Sequence, residues 1–425
     1  MTINRRQFAK LLGAAGAAGT LPTTFAYAQG GAKVVIVGGG PGGATVAHYV
    51  KKAAPALDVT LVEASAQYTT CFFSNLYLGG FRTFESLVHT YDGLRSMGIK
   101  VVTAMATDVD AAKREVKLST GASLAYDRLV LSPGIDFIWE SVPGYSEEVA
   151  KTMPHAYKAG EQTRILRSRL DAMEDGGVVV MVAPPTPYRC PPGPYERMCM
   201  IAHHLKTKKP KSKLVVLDPK REIISKGPVF NEAFNGMYKG IIENNLSNDI
   251  DSYVVTRIDP KTMEIETKAG KKVKAAVANI IPAMKAGQIA FKAGATEGNW
   301  CPVNPGDFSS KKVANVFVLG DASVAGAMPK SGFSANSQAK VVANVIVADL
   351  AGKPKFPARY RNTCWSMLGP DNSVKVGANY KPEDLSAFEG FVSKPGEDAQ
   401  LRKQTFEESL GWYSGIVSDT FAKSA

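Results

Sequence analysis

Short apolar runs, each stopped by glycine or proline, set the rhythm of this chain. Lys33 to Val37 is apolar after its first residue and runs directly into Gly38-Gly39-Gly40-Pro41-Gly42-Gly43. A helical pattern from Ala44 to about Ala53 follows, and Asp58 to Glu63 reads as a second strand ending in an acid. Continuous apolar runs suit parallel strands covered on both faces, so this is a complete βαβ opening. Between residues 98 and 130, short alternating segments, including Val101-Val102, Glu115 to Leu118 and Arg128 to Leu131, predict a meander inserted before the next parallel strand. A second unit begins at Gly176, with buried-strand runs at Gly177 to Ala183 and Lys213 to Leu217, the latter followed by Asp218. Asn315 to Leu319 is a third strand of this type, followed by Gly320-Asp321 and a helix over about Ser334 to Leu350. The repeated spacing predicts an internal duplication. Beyond Gly352 the character changes to prolines and scattered aromatics, and the final helix is expected to place Phe406, Leu410, Tyr413, Val417 and Phe421 on one face.

Length and composition narrow the class. A chain of 425 residues exceeds one ordinary core and predicts two or three domains, and 45% hydrophobic with 21% charged residues fits a globular protein. The formal charge of +12 is scattered, apart from a cluster at Lys206, Lys208, Lys209, Lys211 and Lys213, so the pattern argues against a nucleic-acid binder and fits a solvated basic face or an acidic partner. Asn4 to Lys10 carries a twin-arginine pattern, a weakly apolar Ala/Gly stretch follows from Leu11 to Leu21, and Ala26-Tyr27-Ala28 is a small-residue cleavage site. The expectation is an exported, periplasmic protein whose residues 1–28 are a signal peptide. That route carries folded proteins and suits an enzyme that acquires a cofactor before export. No other run is long and apolar enough for a membrane span. The five cysteines, Cys71, Cys190, Cys199, Cys301 and Cys364, show no C-x-x-C, haem-attachment or zinc spacing, so no metal site is expected.

Gly38, Gly40 and Gly43 form G-x-G-x-x-G directly after a strand and before a helix. The first makes the tight turn, the second lets the backbone approach a pyrophosphate, and the third lets the helix pack closely. The helix N-terminus then faces the phosphate charge. Glu63, at the end of the second strand, is placed to accept ribose hydroxyls. Tyr126 to Gly134 resembles the second signature of the two-dinucleotide-domain flavoproteins, and Val316 to Asp321 resembles their third, in which the acid binds the ribityl chain of FAD. That role carries over to Asp321. The expected fold is α/β, with two Rossmann-like dinucleotide-binding domains of the glutathione reductase type and a small C-terminal domain. The boundaries are a first part of the FAD domain at 32–145, a degenerate NAD-like domain at 146–285, a second FAD part at 286–352, and a C-terminal domain at 353–425. In the middle domain the nucleotide turn is replaced by Ala183 to Gly193, with five prolines and no glycine spacing. Proline removes N–H donors and fixes φ, so this loop is not expected to cradle a pyrophosphate, and the electrons must be exchanged with something other than NAD(P)H.

The twin-arginine leader, the three FAD signatures, Cys71 in Tyr68 to Asn75, the proline-flanked Cys190 and Cys364 together closely resemble the flavoprotein subunit of flavocytochrome c sulfide dehydrogenase, a family related to the sulfide:quinone reductases. The likeness runs over the whole chain. The resemblance implies FAD held covalently by Cys71 through a thioether to the 8α carbon. It implies a redox-active disulfide between Cys190 and Cys364 beside the flavin, sulfide as the small-molecule substrate, and a c-type cytochrome subunit as electron acceptor in a heterodimer. Glu196 is the nearby candidate for a proton-handling base, and Lys330 a candidate to stabilise negative charge at the flavin. A structural role for the disulfide, a free thiol at Cys71, and core or paired roles for Cys199 and Cys301 stay open at this level. Two other functions also stay open: sulfide:quinone oxidoreduction at a membrane, and a flavin-bearing redox partner without turnover of its own.

Overall fold

The computed structural model describes residues 31–244 and 249–422, so the expected signal peptide at 1–28 lies outside the described residues. The first sheet is parallel and five-stranded, in the order Val316–Val318, Arg128–Leu131, Lys33–Val37, Asp58–Glu63, Lys100–Thr103. Its inner strands are apolar and buried, as expected of strands covered on both faces. Each fully buried Val, Ile or Leu side chain contributes about 1.5–3 kcal/mol, so these strands and the helices over them form the main core. The Gly43–Ala53 helix covers one face and packs against the long Gly332–Ala351 helix. The second of these is capped by Ser331, whose Oγ accepts from the backbone N–H of Ser334 at 3.1 Å.

A second parallel sheet has the order Ile242–Glu243, Lys213–Leu217, Val178–Val182, Val277–Ile280. This repeats the strand-helix-strand logic of the first, with the Gly193–Lys208 helix as its opening helix. The fold is the expected α/β type with two dinucleotide-binding sheets. The third sheet is antiparallel, Tyr360–Gly369, Asn372–Tyr380 and Ala387–Val392, and the Ala399–Phe421 helix packs against it. From Ala32 onward the described residues form one compact unit.

Two local expectations change. Val101 and Val102 belong to the edge strand of the parallel sheet, Arg128–Leu131 is one of its inner strands, and the meander is Ala106–Asp110, Glu115–Leu118 and Ser123–Ala125. In the final helix Tyr413, Val417 and Phe421 are buried, but Leu410 is 39% exposed. In the N-terminal half the buried face is polar, through Arg402, Thr405 and Ser409, and Glu408 pairs with Lys375 of the sheet, so Leu410 stays outside. The C-terminal half packs against the first domain, where Asp419 meets His48 and Tyr49.

Candidate active site

The glycine turn meets its steric requirements closely. Gly38 sits at φ +103°, and a Cβ there would lie 2.2 Å from the carbonyl oxygen of Ser132. A Cβ on Gly43 would lie 2.0 Å from the Gly38 carbonyl oxygen, so the turn closes only with glycine at both ends. A Cβ on Gly40 would lie 3.3 Å from the ring of Tyr68, and both residues line a cleft of about 580 Å³. Glu63 reaches the same cleft, where its Oε2 accepts from the backbone N–H of Gly39 at 2.7 Å. Asp321 lines the cleft as well, in a short 3-10 turn after the Val316–Val318 strand. Its Oδ1 is buried without a hydrogen-bond partner. An orphaned carboxylate oxygen, a helix N-terminus and a glycine cradle in one cleft of ordinary ligand size fit FAD: phosphates on the turn, ribose at Glu63, ribityl hydroxyls at Asp321.

A second, smaller cavity of about 90 Å³ adjoins this cleft, and Cys71, Arg189, Asp321, Ser331 and Gly332 line both. That volume holds a few water-sized groups and no large organic substrate. Cys190, Cys364, Glu196 and Lys330 line it as well, so every sequence-derived chemical candidate except the nucleotide-cradle residues converges here. Elements from all parts of the chain deliver them. Cys71 precedes the Ser74–Gly79 helix, and Glu196 lies in the first turn of the Gly193–Lys208 helix. Cys364 sits in the Tyr360–Gly369 strand. Trp365, Trp412 and Phe333 form an aromatic wall, with Phe333 and Trp412 stacked at 6.1 Å and Trp365 5.1 Å from Trp412. Cys199 and Cys301 are buried elsewhere in the core.

The sulfurs of Cys190 and Cys364 stand unbridged in this structure, and both cysteines line the one cavity. Cys190 is held at φ +56°, its backbone N–H donating to the Lys330 carbonyl at 2.7 Å. Burial raises its thiol well above the ordinary range. Burial raises Cys364 too, but the Lys226 ammonium and hydrogen bonds from Asn362 and Ser331 oppose it. Glu196 is raised by burial, against hydrogen bonds from Asn75 Nδ2 at 2.8 Å and the Met367 N–H at 2.9 Å. Lys330 is lowered by burial to about 8; its Nζ donates to the carbonyls of Asp321 (2.9 Å) and Ser323 (2.7 Å) and lies 3.8 Å from the Trp300 ring centre.

Several residues escaped the sequence. Arg189 stands between cleft and cavity, with Nη1 3.7 Å from Asp321 Oδ2 and Nη2 donating to the Tyr157 carbonyl. Its place beside Cys190 was the only available signal. Arg197 is 2% exposed and donates only to neutral oxygens, those of Asn75, His155, Ala156 and Asn279. Lys226 carried no sequence signal at all.

Asp218, which follows the Lys213–Leu217 strand as Glu63 ends its own, is 1% exposed. Its Oδ1 lies 2.5 Å from Lys220 Nζ, and its Oδ2 accepts from Tyr195 Oη at 3.0 Å. The carboxylate that would bind a nucleotide ribose is consumed internally.

Comparison with known proteins follows the same division. Residues 163–282 match a family model described as the central part of the flavocytochrome c sulfide dehydrogenase flavoprotein chain. Residues 356–421 match the flavin-binding model of flavocytochrome c sulphide dehydrogenase, and residues 32–175 match that of pyridine nucleotide-disulphide oxidoreductases. A sulfide dehydrogenase [flavocytochrome c] flavoprotein chain from Chlorobaculum thiosulfatiphilum is 54% identical over 43 residues, which are 10% of this chain and 90% of that sequence. The sulfide-quinone reductase of Aquifex aeolicus is 24% identical over 415 residues, covering 91% of this chain and 93% of that one. The solved sulfide:quinone oxidoreductase from Aquifex aeolicus superimposes with a TM-score of 0.71 at 20% identity, over 92% and 93% of the two chains. The covalent putidaredoxin reductase–putidaredoxin complex gives 0.65 at 18% identity, over 92% of this chain and 99% of that one.

Proposed function

The chain belongs to the family of flavocytochrome c sulfide dehydrogenase flavoproteins, a sulfide-oxidising flavoprotein family, and from that premise we propose that it oxidises sulfide through a Cys190–Cys364 disulfide and delivers the electrons to a c-type cytochrome subunit. The single observation that carries the reading is the shared cavity: both cysteines, Glu196 and Cys71 line a space sized for a substrate as small as hydrosulfide, continuous with the nucleotide cleft.

FAD, when bound, accepts an electron pair and returns electrons singly, which matches a two-electron donor to a one-electron haem. Gly38, Gly40, Gly43, Glu63 and Asp321 would hold it, with Cys71 as the covalent tether. The sulfur chemistry belongs to the protein. Hydrosulfide attacks one sulfur of the disulfide, a new S–S bond forms, and the old bond's electron pair leaves on the other cysteine as thiolate. Glu196, raised by burial toward the working pH, takes the proton that hydrogen sulfide must lose to become the nucleophile. Arg197, Lys330 and Arg189 give the cavity a positive bias toward hydrosulfide. The internally consumed Asp218 and the proline loop favour an acceptor other than NAD(P)+. Export by the twin-arginine route to the periplasm is part of the same proposal.

The similarity to sulfide-quinone reductases supports one competing acceptor, a membrane quinone. Among the described residues no helix is long and apolar enough to cross a membrane. The deciding assay supplies sulfide and either a soluble c-type cytochrome or a quinone in liposomes. Cytochrome reduction that disappears in Cys190→Ser and in Cys364→Ser is expected. Reduction that survives either substitution removes the disulfide mechanism, and quinone reduction without any haem protein removes the cytochrome reading.

A further inference from the structure

Lys226 is a buried cation that the mechanism above does not use. It is 5% exposed and held at φ +58°, a left-handed conformation that a non-glycine residue adopts only against its steric preference. Its Nζ donates to two neutral groups, the Cys364 carbonyl at 3.0 Å and Ser366 Oγ at 2.7 Å. It forms no ion pair among the described residues. A buried charge without a counter-charge is costly unless another state supplies one. The groups able to carry negative charge that act on it are Cys364 first, then Glu196 and Cys190.

The surroundings of the two sulfurs are unequal. Asn362 Oδ1 accepts from Ser331 Oγ at 2.6 Å and from Ser334 Oγ at 3.3 Å. That fixes the amide with its Nδ2 toward Cys364 Sγ, 3.3 Å away. Cys364 Sγ therefore has a fixed side-chain donor and a buried ammonium at its own backbone. Among the described residues Cys190 Sγ has no hydrogen-bond donor; burial first, then Cys364, Glu196 and Cys71, oppose its ionisation. Lys226 favours it only as the smallest of these influences, whereas at Cys364 Lys226 is the largest influence favouring the thiolate. In thiol–disulfide exchange, the sulfur better able to carry the negative charge is the better leaving group.

We propose that Lys226 is a positioning residue that sets the direction of sulfur exchange: hydrosulfide bonds to Sγ of Cys190, the Cys190–Cys364 bond breaks, and its electron pair leaves on Cys364. One negative charge enters on hydrosulfide and one remains, on the Cys364 thiolate between Asn362 and Lys226. The proton of hydrosulfide stays on the outer sulfur of the Cys190 persulfide. This inference rests on the disulfide reading of the two cysteines.

The test uses the full holoprotein. After reduction it is treated with limiting iodoacetamide across a pH series, and the Cys190 and Cys364 peptides are quantified by mass spectrometry. Cys364 takes the label at lower pH than Cys190 in the unaltered protein. Lys226→Met slows Cys364 labelling roughly tenfold near neutral pH, and Lys226→Arg restores most of it. Exposing the oxidised protein to sulfide before alkylation leaves the extra sulfur on the Cys190 peptide. Earlier labelling of Cys190, extra sulfur on Cys364, or a Lys226→Met profile equal to the original overturns the proposal. The order of labelling in the unaltered protein decides even if Lys226→Met does not fold. Intact mass with and without reductant separates the two readings. Loss of the two-proton change removes the disulfide itself, whereas its persistence with the wrong labelling order removes only the role of Lys226.

Discussion

Asn75 donates from Nδ2 to Oε2 of Glu196 at 2.8 Å, deep inside the sulfur cavity. The other end of the same amide, Oδ1, accepts from Arg197 Nε at 3.0 Å. Asn75 thus transmits the arginine's polarity to the carboxylate and favours its charged form, against the burial that favours the neutral form.

The first expectation concerns pH. If Glu196 is the proton acceptor, sulfide-dependent kcat/KM rises as pH rises through its elevated pKa. Asn75→Leu removes a hydrogen bond to the charged form, so the pKa climbs further and the acidic limb moves to higher pH. Glu196→Gln removes the limb and lowers the rate by roughly 10²–10⁴-fold. His155, lowered by burial to about 3, stays neutral throughout and cannot supply that limb. A pH–rate profile unchanged in Asn75→Leu would count against Glu196.

The flavin tether gives a second expectation. Cys71→Ser leaves the nucleotide cleft intact, since Gly38, Glu63 and Asp321 are untouched. FAD should still bind but should pass into the supernatant on acid precipitation, where the unaltered protein retains it in the pellet. Absorbance of the two fractions and intact mass read this directly. Flavin equally retained in Cys71→Ser would show the tether is elsewhere.

Gly43→Ala places a Cβ against the Gly38 carbonyl oxygen at 2.0 Å, backbone against backbone. Neither side has a flexible end to move aside. The turn must open, with a loss of about 1–3 kcal/mol in stability and a purified protein depleted in flavin. Thermal melting together with the flavin-to-protein absorbance ratio checks both. Full flavin occupancy in this variant would mean that the turn does not hold the pyrophosphate.

Lys226 links stability to pH. Its pKa falls from 10.5 to about 8 on folding because burial penalises the ammonium. The folded state therefore carries a penalty of about 3 kcal/mol below pH 8, at about 1.4 kcal/mol per unit. The penalty fades as pH rises from 8 to 10.5, where the unfolded chain binds the proton and the folded chain does not. Lys226→Met escapes it but loses two hydrogen bonds of about 1 kcal/mol each. The variant should be more stable than the unaltered protein at pH 7 by roughly 1 kcal/mol, with the difference shrinking or reversing above pH 8. Denaturant melts at pH 7 and pH 10 check the sign. Stability equal or lower at pH 7 would mean that the buried ammonium is compensated.

The readable parts of this protein are those where local sterics admit few residues. Glycine at 38 and 43 is forced by a positive φ and a backbone contact, and the apolar strand before it is forced by burial on both faces, so the cradle was legible. Cys190 was conspicuous among prolines for the same local reason. The sequence-level stripe on the last helix was less informative, because the buried face of its N-terminal half runs through the polar Arg402, Thr405 and Ser409 and not through Leu410.

By itself, then, the sequence determined the α/β framework and the cofactor cradle, since each is written within a few adjacent residues, and it marked Cys71, Cys190 and Cys364 as candidate sulfurs by resemblance. Tertiary structure alone decided which groups surround those sulfurs. Asn75, Arg197, Lys226 and Asn362 come from four separate segments, and none has a pattern that marks it as chemical. Their effect arises from burial and from distances between segments, which strip solvent from a cation or fix the direction of an amide. Such electrostatics exist only once the chain has closed around the cavity.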